Sequence, residues 1–471
     1  MDEREIAKVV QEVIRSMSGA GDTTQTVATV EVPQKKLRGV FQTMDEALAA
    51  VEKAYNEFRN YSHEQREAMI TQIRRLCREN AETMAHMGVE ETGMGNVYHK
   101  TLKHRLVADK TPGTEDLTTT AWSGDHGLTL IEMAPHGIIG AITPSTNPSE
   151  TVICNSIGMI AAGNGVVFNP HPHAKKVSNY AVDLVNRAIL EAGGPENLVC
   201  SVENPTMESS NTMMKSPLVK MLVATGGPGV VKALLSSGKK AIGAGAGNPP
   251  VVVDDDVDIK KAAIDILDGC TFDNNLPCIA EKEVFALSKV ADDLVYHMLQ
   301  NGGFLLEGDK VEELYKIVTN DGKGLNRKCV GRHAKELLKM IGVTPKEDTR
   351  CIICQTDASH PFVQTELMMP ILPVVSVPDF DTAVALAVEA EHGNRHSAHI
   401  HSKNIDHITQ YARAMGTTIL VKNAPSYCGI GFNAEGYTTF TIAGPTGEGL
   451  TSAKTFTRAR RCVMVDAMNI V

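Results

Sequence analysis

No stretch of the 471-residue chain approaches the roughly 20 consecutive apolar residues a bilayer-spanning helix needs, so no membrane segment is expected. Dense runs of lysine and arginine are also missing. The formal net charge of -10 is spread along the chain, which argues against general nucleic-acid binding. The opening Met1-Asp2-Glu3-Arg4-Glu5 is acidic where a secretory signal is basic. The 10 cysteines have no framework spacing, and Cys154, Cys200 and Cys462 lie inside apolar runs, so they read as reduced core residues of a reducing compartment. Low-complexity composition is absent: 42% hydrophobic and 22% charged residues suit a soluble, unsecreted protein with a sizeable core. The length suits about three units of ordinary size.

What is present begins with an apolar stripe, Ile6, Val9, Val10, Val13, Ile14 and Met17, at the spacing of one helix face. Residues 18–36, rich in Gly, Ser and Thr, read as a flexible linker. Residues 1–17 are therefore expected to form a detachable helix that docks on a partner, against the plainer reading that it packs on its own enzyme. Met44 to Thr92 predicts two packed helices, broken near Tyr61-Ser62 and closed at Gly93-Met94-Gly95. Thr118 to Trp122 and Gly127 to Met133 predict a hairpin arm, within about 113–134, suited to oligomerisation.

Strand, turn and helix then alternate at roughly thirty-residue intervals, the mark of a parallel sheet covered by helices. Strands are expected at Ile138 to Ile142, Val166 to Phe168, Leu198 to Val202 and Met221 to Ala224, with helices after Pro148 and Pro172. A second αβ series runs from Asp256 to about Asn423, with strands near Val284 to Leu287, Cys351 to Gln355 and Ile371 to Val377. The chain thus divides into a dinucleotide-binding domain over 37–255, a catalytic domain over 256–423 and a C-terminal return over 424–471. The fold class is α/β.

Thr225-Gly226-Gly227-Pro228-Gly229 follows a strand and opens a helix, where free backbone N–H groups can hold phosphate. It lacks full GxGxxG spacing, and a purely structural glycine turn competes evenly with this reading. Gly243 to Gly247 is a second segment that lets a ligand approach the backbone. Cys278 follows the polar turn Phe272-Asp273-Asn274-Asn275-Leu276-Pro277 rather than lying within a strand, which suits an exposed nucleophile.

From the linker onward these segments resemble an aldehyde dehydrogenase of the CoA-acylating type. Pro135 to Pro144 resembles that family's first cofactor-domain strand, Glu366-Leu367-Met368-Met369-Pro370 its nicotinamide-ribose motif, and Cys278 falls at the nucleophile position. Glu91 to Gly95, Thr143 to Pro148, Phe272 to Asn275 and Pro445 to Gly449 resemble the branch serving propanediol and ethanolamine breakdown in bacterial microcompartments, where an N-terminal helix on a linker is an encapsulation signal. The resemblance implies a Rossmann-type cofactor domain, an α/β catalytic domain and a dimer or dimer of dimers with Gly127 to Met133 and the C-terminal run Arg461 to Val465 as candidate interface strands. It also implies a cytoplasmic protein inside a microcompartment, with residues 1–17 meeting shell or core proteins.

The implied cofactor is NAD, with coenzyme A as co-substrate. Cys278 adds to a short aldehyde, propionaldehyde or acetaldehyde; hydride passes to the nicotinamide, and coenzyme A takes the acyl group from the thioester. Asn147, or alternatively Thr146, serves the oxyanion together with the Cys278 N–H. Thr143, Pro144, Asn169, His171, Thr225, Gly226, Gly227 and Glu366 are the expected cofactor contacts. Hydrolytic relatives carry a glutamate base in an ELGGK-like segment; here Gly243 takes its place, which favours a thiol acceptor over water. A hydrolytic enzyme and an inactive shell-binding scaffold remain the rivals.

Four histidines, His392, His396, His399 and His401, read as a partly solvated strand near the cleft rather than a metal site. Cys351 and Cys354 point to opposite faces of a strand and read as core. Asp254 to Asp256 and Lys35-Lys36 read as solvated charges.

Overall fold

The computed structural model describes residues 36–470. The docking helix expected over 1–17, and the linker up to residue 35, lie outside the described residues.

Thr43 and Ser62 each close a capping box, and they start the helices Met44–Phe58 and His63–Glu79. Where two helices were expected there are three, because Asn80 leaves helical geometry (φ -106°, ψ 9°) and Ala81–Thr92 runs separately. Gly93, at φ 68°, ends it in the left-handed cap that glycine adopts without strain.

Six parallel strands form the first sheet, in the order Val40–Phe41, Val199–Val202, Gly165–Pro170, Ile138–Thr143, Val219–Thr225 and Lys240–Ala244. From Ile138–Thr143 the chain winds outward to one side and then returns to pair on the other. The carboxyl ends of Ile138–Thr143 and Val219–Thr225 therefore flank a topological switch point, the place where open α/β sheets bind ligands. Pro148–Ala161, buried along its whole length, starts from that edge with Pro148 at its first turn.

The second sheet has seven parallel strands: Gly303–Leu305, Cys351–Gln355, Ile371–Val377, Glu283–Leu287, Pro250–Val253, Ser397–His401 and Ile419–Lys422. Pro250–Val253 sits inside this sheet, so the boundary expected after residue 255 falls earlier, before residue 250. An all-apolar strand preceded by glycines reads the same at the end of one sheet as in the middle of the next. The C-terminal return closes over the first unit, with Ala443, Ala453 and Phe456 in its core.

Thr457–Val465 pairs antiparallel with Gly127–Pro135, which pairs with Thr120–Gly124, forming the expected arm with a third strand added. Cys462 lies on this arm and is exposed, contrary to the core reading; the apolar run around it is an outer strand. Cys154 and Cys200 are buried as expected.

The histidine strand is also different from expectation. Ser397–His401 lies between two other strands, so His399 and His401 are fully buried, not partly solvated. Ala398 and Ile400 pack beneath, and among the described residues no cluster could hold a metal ion. Asp254 is likewise buried, accepting from Ser402 Oγ at 2.6 Å and paired with His407 Nδ1 at 2.7 Å. Cys351 and Cys354 enter different core clusters, on opposite faces of their strand. No described helix is long and apolar enough to cross a membrane.

Candidate active site

A cleft of about 780 Å³ lies between the carboxyl edge of the first sheet and the amino edge of the second. Pro144 to Asn147 and Thr225 to Pro228 line it from the first; Gly245, Ala246, Pro277 to Ile279 and Glu366 line it from the second.

The nucleophile turn is built from residues that tolerate left-handed backbone. Asp273, Asn274 and Asn275 all have positive φ (48°, 55° and 67°), a conformation Asp and Asn adopt more readily than other non-glycine residues. Their side chains hold it. Asn274 Nδ2 donates to Gly331 O at 2.9 Å, and Asn275 Nδ2 donates to Cys270 O at 2.9 Å and to Glu281 O at 3.0 Å. The buried Lys282 clamps the turn from below, donating to Asn275 O (3.0 Å) and Asn275 Oδ1 (2.6 Å). Gly95 packs so close that a Cβ there would lie 2.3 Å from Asp273 Oδ1.

Cys278 is half-buried on the cleft floor. Burial and the nearby Glu366 carboxylate push its thiol up to about 12, with Lys282 opposing them. The site thus holds a thiol that must lose a proton before it attacks. Gly247 lets His396 approach: a Cβ on Gly247 would be 2.9 Å from both Cys278 O and His396 Cγ. Burial lowers His396 to about 4, so its ring is neutral; Nδ1 faces Ser397 Oγ at 2.7 Å and Nε2 has no hydrogen-bond partner. Glu366 is half-buried, its pKa raised by burial and opposed by Lys282 and the Gly247 N–H.

Asn147 lines the cleft beside Thr146. Its Oδ1 accepts from Lys103 Nζ at 2.5 Å, so its Nδ2 is the end left to donate. Behind it, Lys100 and Lys103 meet Asp273 and Glu150 in a fully buried charge network. On the cofactor side, Cβ atoms at Gly226, Gly227 and Gly229 would meet nothing within 4 Å, so a phosphate chain has open access to that helix start. The Thr225 hydroxyl is engaged with Thr441 Oγ1 at 3.0 Å.

Pro144, Asn147, His171, Thr225, Gly226, Gly227, Cys278 and Glu366 thus share one cleft, while Thr143 and Asn169 do not line it. Thr143 is buried, and the Asn169 carboxamide is taken by Ser209 Oγ at 2.6 Å and Thr206 O at 3.5 Å. Sequence reasoning missed Lys100, Lys103 and Lys282, because a lysine normally marks a solvated face. The available signal was that Val97–Lys110 shows no continuous apolar stripe although its neighbours do. It also passed over Arg327, Lys328 and Arg332 on the cleft wall.

Gly243 does not line the cleft. A Cβ there would lie 2.6 Å from Val231 Cγ1 and 3.8 Å from Thr446 Cγ2, and its N–H donates to Thr446 Oγ1 at 3.3 Å. Val231 thus crowds the position at which the resemblance places the carboxylate base of hydrolytic relatives. Gly243→Glu is accordingly expected to lower stability without creating a hydrolase: free-acid release should stay below a few per cent of CoA-dependent turnover, measured by product chromatography.

Residues 23–437 match the model of the aldehyde dehydrogenase family, and the chain belongs to that family. It is 45% identical over 462 residues, 98% of this chain and 99% of the relative, to a CoA-propanoylating propanal dehydrogenase of Salmonella typhimurium. A propionaldehyde dehydrogenase from the fucose-utilisation microcompartment of Clostridium phytofermentans superposes with a TM-score of 0.91 at 60% identity, covering 92% of this chain and 100% of that one. A propionaldehyde dehydrogenase of Rhodopseudomonas palustris, solved with bound CoA and an acylated cysteine, gives 0.90 at 54% identity, covering 92% and 99%.

Proposed function

We propose that this chain oxidises a short unbranched aldehyde, propionaldehyde or acetaldehyde, to its acyl-CoA with NAD as hydride acceptor and Cys278 as acyl carrier. The observation that carries this is a cysteine on the floor of the cleft, in a chain whose residue 243, where the resemblance places the general base of hydrolytic relatives, is glycine. A thiol acceptor has a pKa near 8.5 and ionises without that base; water does not.

Cys278 Sγ, its proton released to solvent in the cleft, attacks the aldehyde carbon as the thiolate. The oxyanion that forms accepts from the Cys278 N–H and Asn147 Nδ2. NAD, when bound, supplies the hydride acceptor. Glu366 orients the nicotinamide ribose, and the open backbone at Gly226 and Gly227 receives the pyrophosphate. The acyl group stays on Cys278 until the CoA thiolate attacks it and the Cys278 sulfur leaves. Arg327, Lys328 and Arg332 give one wall of the cleft the positive charge that the phosphates of both nucleotides require. Comparing kcat/KM for C2 to C4 aldehydes tests the substrate assignment. The account expects values highest for C2 and C3 and lower for C4; a preference for longer or branched chains contradicts it.

The apolar stripe of residues 1–17, together with a microcompartment relative at 60% identity, supports a docking helix that takes the enzyme into such a shell. Removing 1–19 should leave kcat/KM within about twofold, while a reporter carrying 1–19 concentrates in shells. A diffuse reporter contradicts this. The arm, with Trp122, Val463 and Val465 exposed, is the surface on which subunits pair.

A further inference from the structure

We infer that Lys103 is a positioning residue for the oxyanion site, setting which end of the Asn147 carboxamide faces the reacting carbonyl. The inference rests on Asn147 serving as the oxyanion donor. A carboxamide carries an acceptor oxygen and a donor nitrogen on nearly the same outline, and a half-turn exchanges them. In one orientation the group stabilises a developing alkoxide, and in the other it repels it.

Asn147's own loop does not decide between the two. The one neighbour there is Thr146 Oγ1, 3.4 Å from Nδ2, and a hydroxyl both donates and accepts. Lys103 decides. An ammonium only donates, and its Nζ lies 2.5 Å from Asn147 Oδ1, so the oxygen turns towards the protein and Nδ2 is left for the cleft. The charge is secured from behind. Burial works against the Lys103 ammonium, but Asp273 at 2.5 Å and Glu150 at 2.9 Å outweigh it and hold its pKa above the ordinary value. Burial likewise opposes the Glu150 carboxylate, yet Lys103, His104 and Lys100 hold it down to about 2. With Lys100 on Asp273 at 3.0 Å, two ammonium groups balance two carboxylates. Lys100 also donates to Thr146 O at 3.1 Å, so the same network fixes the backbone beside the amide. An amide flip would set a donor against this cation in a fully buried charge network, where the repulsion is poorly screened. Lys103 acts through Asn147 and touches no reacting atom.

The test compares two reactions of the same sulfur in the full-length enzyme. Acylation of Cys278 by p-nitrophenyl propionate, followed as the p-nitrophenolate burst, passes through an oxyanion; alkylation by iodoacetamide does not. Their ratio cancels any change in thiolate fraction. Lys103→Met should lower the ratio about 30- to 100-fold, reaching at most the lower bound of the roughly 10²–10³-fold cost of removing an oxyanion donor outright, because the Asn147 amide is misoriented and not deleted. In an Asn147→Ala background the same change should lower it no more than about threefold, because the two act as a unit. Lys103→Met leaves a buried carboxylate unpaired, so Lys103→Met/Glu150→Gln, which removes one charge of each sign, is measured beside it and should show the same loss. An unchanged ratio in the double variant overturns the role, as does an equal loss with and without the Asn147 side chain. If Asn147→Ala itself acylates normally, the oxyanion assignment falls; if Asn147→Ala is slow and the Lys103 variants are not, that assignment stands and the positioning role falls.

Discussion

Cys278→Ala is expected to abolish both aldehyde oxidation and the reverse reduction of acyl-CoA, each by at least about 10⁴-fold, as loss of the nucleophile does in other covalent mechanisms. No other group can take its place. Among the described residues Cys278 is the one cysteine lining the cleft; seven others are buried in cores, Cys428 is not among the lining residues, and Cys462 is on the arm. The turn that presents Cys278 is held by Asn274, Asn275 and Lys282, none of which needs the sulfur, so the variant should fold and bind NAD with affinity within a few-fold of the parent. Stopped-flow NADH formation and a nucleotide titration check the two halves. Turnover within about tenfold of normal would remove Cys278 from the chemistry.

Much of the fold was legible because its signals are local. Turn residues at Pro148, Pro172 and Gly226-Gly227 punctuate apolar strands, and the strand runs near residues 284, 351 and 371 stand where the sheet has them. Errors came where one local pattern serves two tertiary settings. Val251 to Val253 reads as a buried strand but carries no mark of which sheet it joins. Ser397–His401 looks half-polar, yet a sheet interior can bury histidine as the neutral ring, and burial lowers His399 to about 4. Asp254 resembles its solvated neighbours because nothing nearby announces Ser402 and His407 as partners, about 150 residues away in sequence.

The candidate site divides the same way. Cys278, Glu366 and Asn147 were reached through the family resemblance of their segments, with Thr146 left as the alternative to Asn147. Lys103 was not: it is one cation in a helix, and its meaning comes from Glu150, Asp273 and Asn147, which only the fold brings to it. Asn169 shows the converse: its place near the end of a cofactor-sheet strand suits a ribose contact, while its carboxamide oxygen accepts from Ser209 Oγ on the helix Met207–Lys215, a partner its local sequence does not announce.

Omitting coenzyme A is the second large effect, and it probes the central claim that the acyl group leaves Cys278 to a thiol and not to water. With glycine at residue 243 and Val231 packed against it, water entering the cleft meets no carboxylate from that position to accept its proton. A missing general base costs about 10²–10⁴-fold in rate. Enzyme mixed with propionaldehyde and NAD should give a burst of about one NADH per subunit, consistent with a covalent acyl-enzyme. Steady NADH formation should then fall below about 1% of the CoA-supported rate, and intact-protein mass spectrometry should show a propionyl group on Cys278 that disappears when coenzyme A is added. Free propionate released at the full rate without coenzyme A, with no acylated cysteine accumulating, would contradict the account.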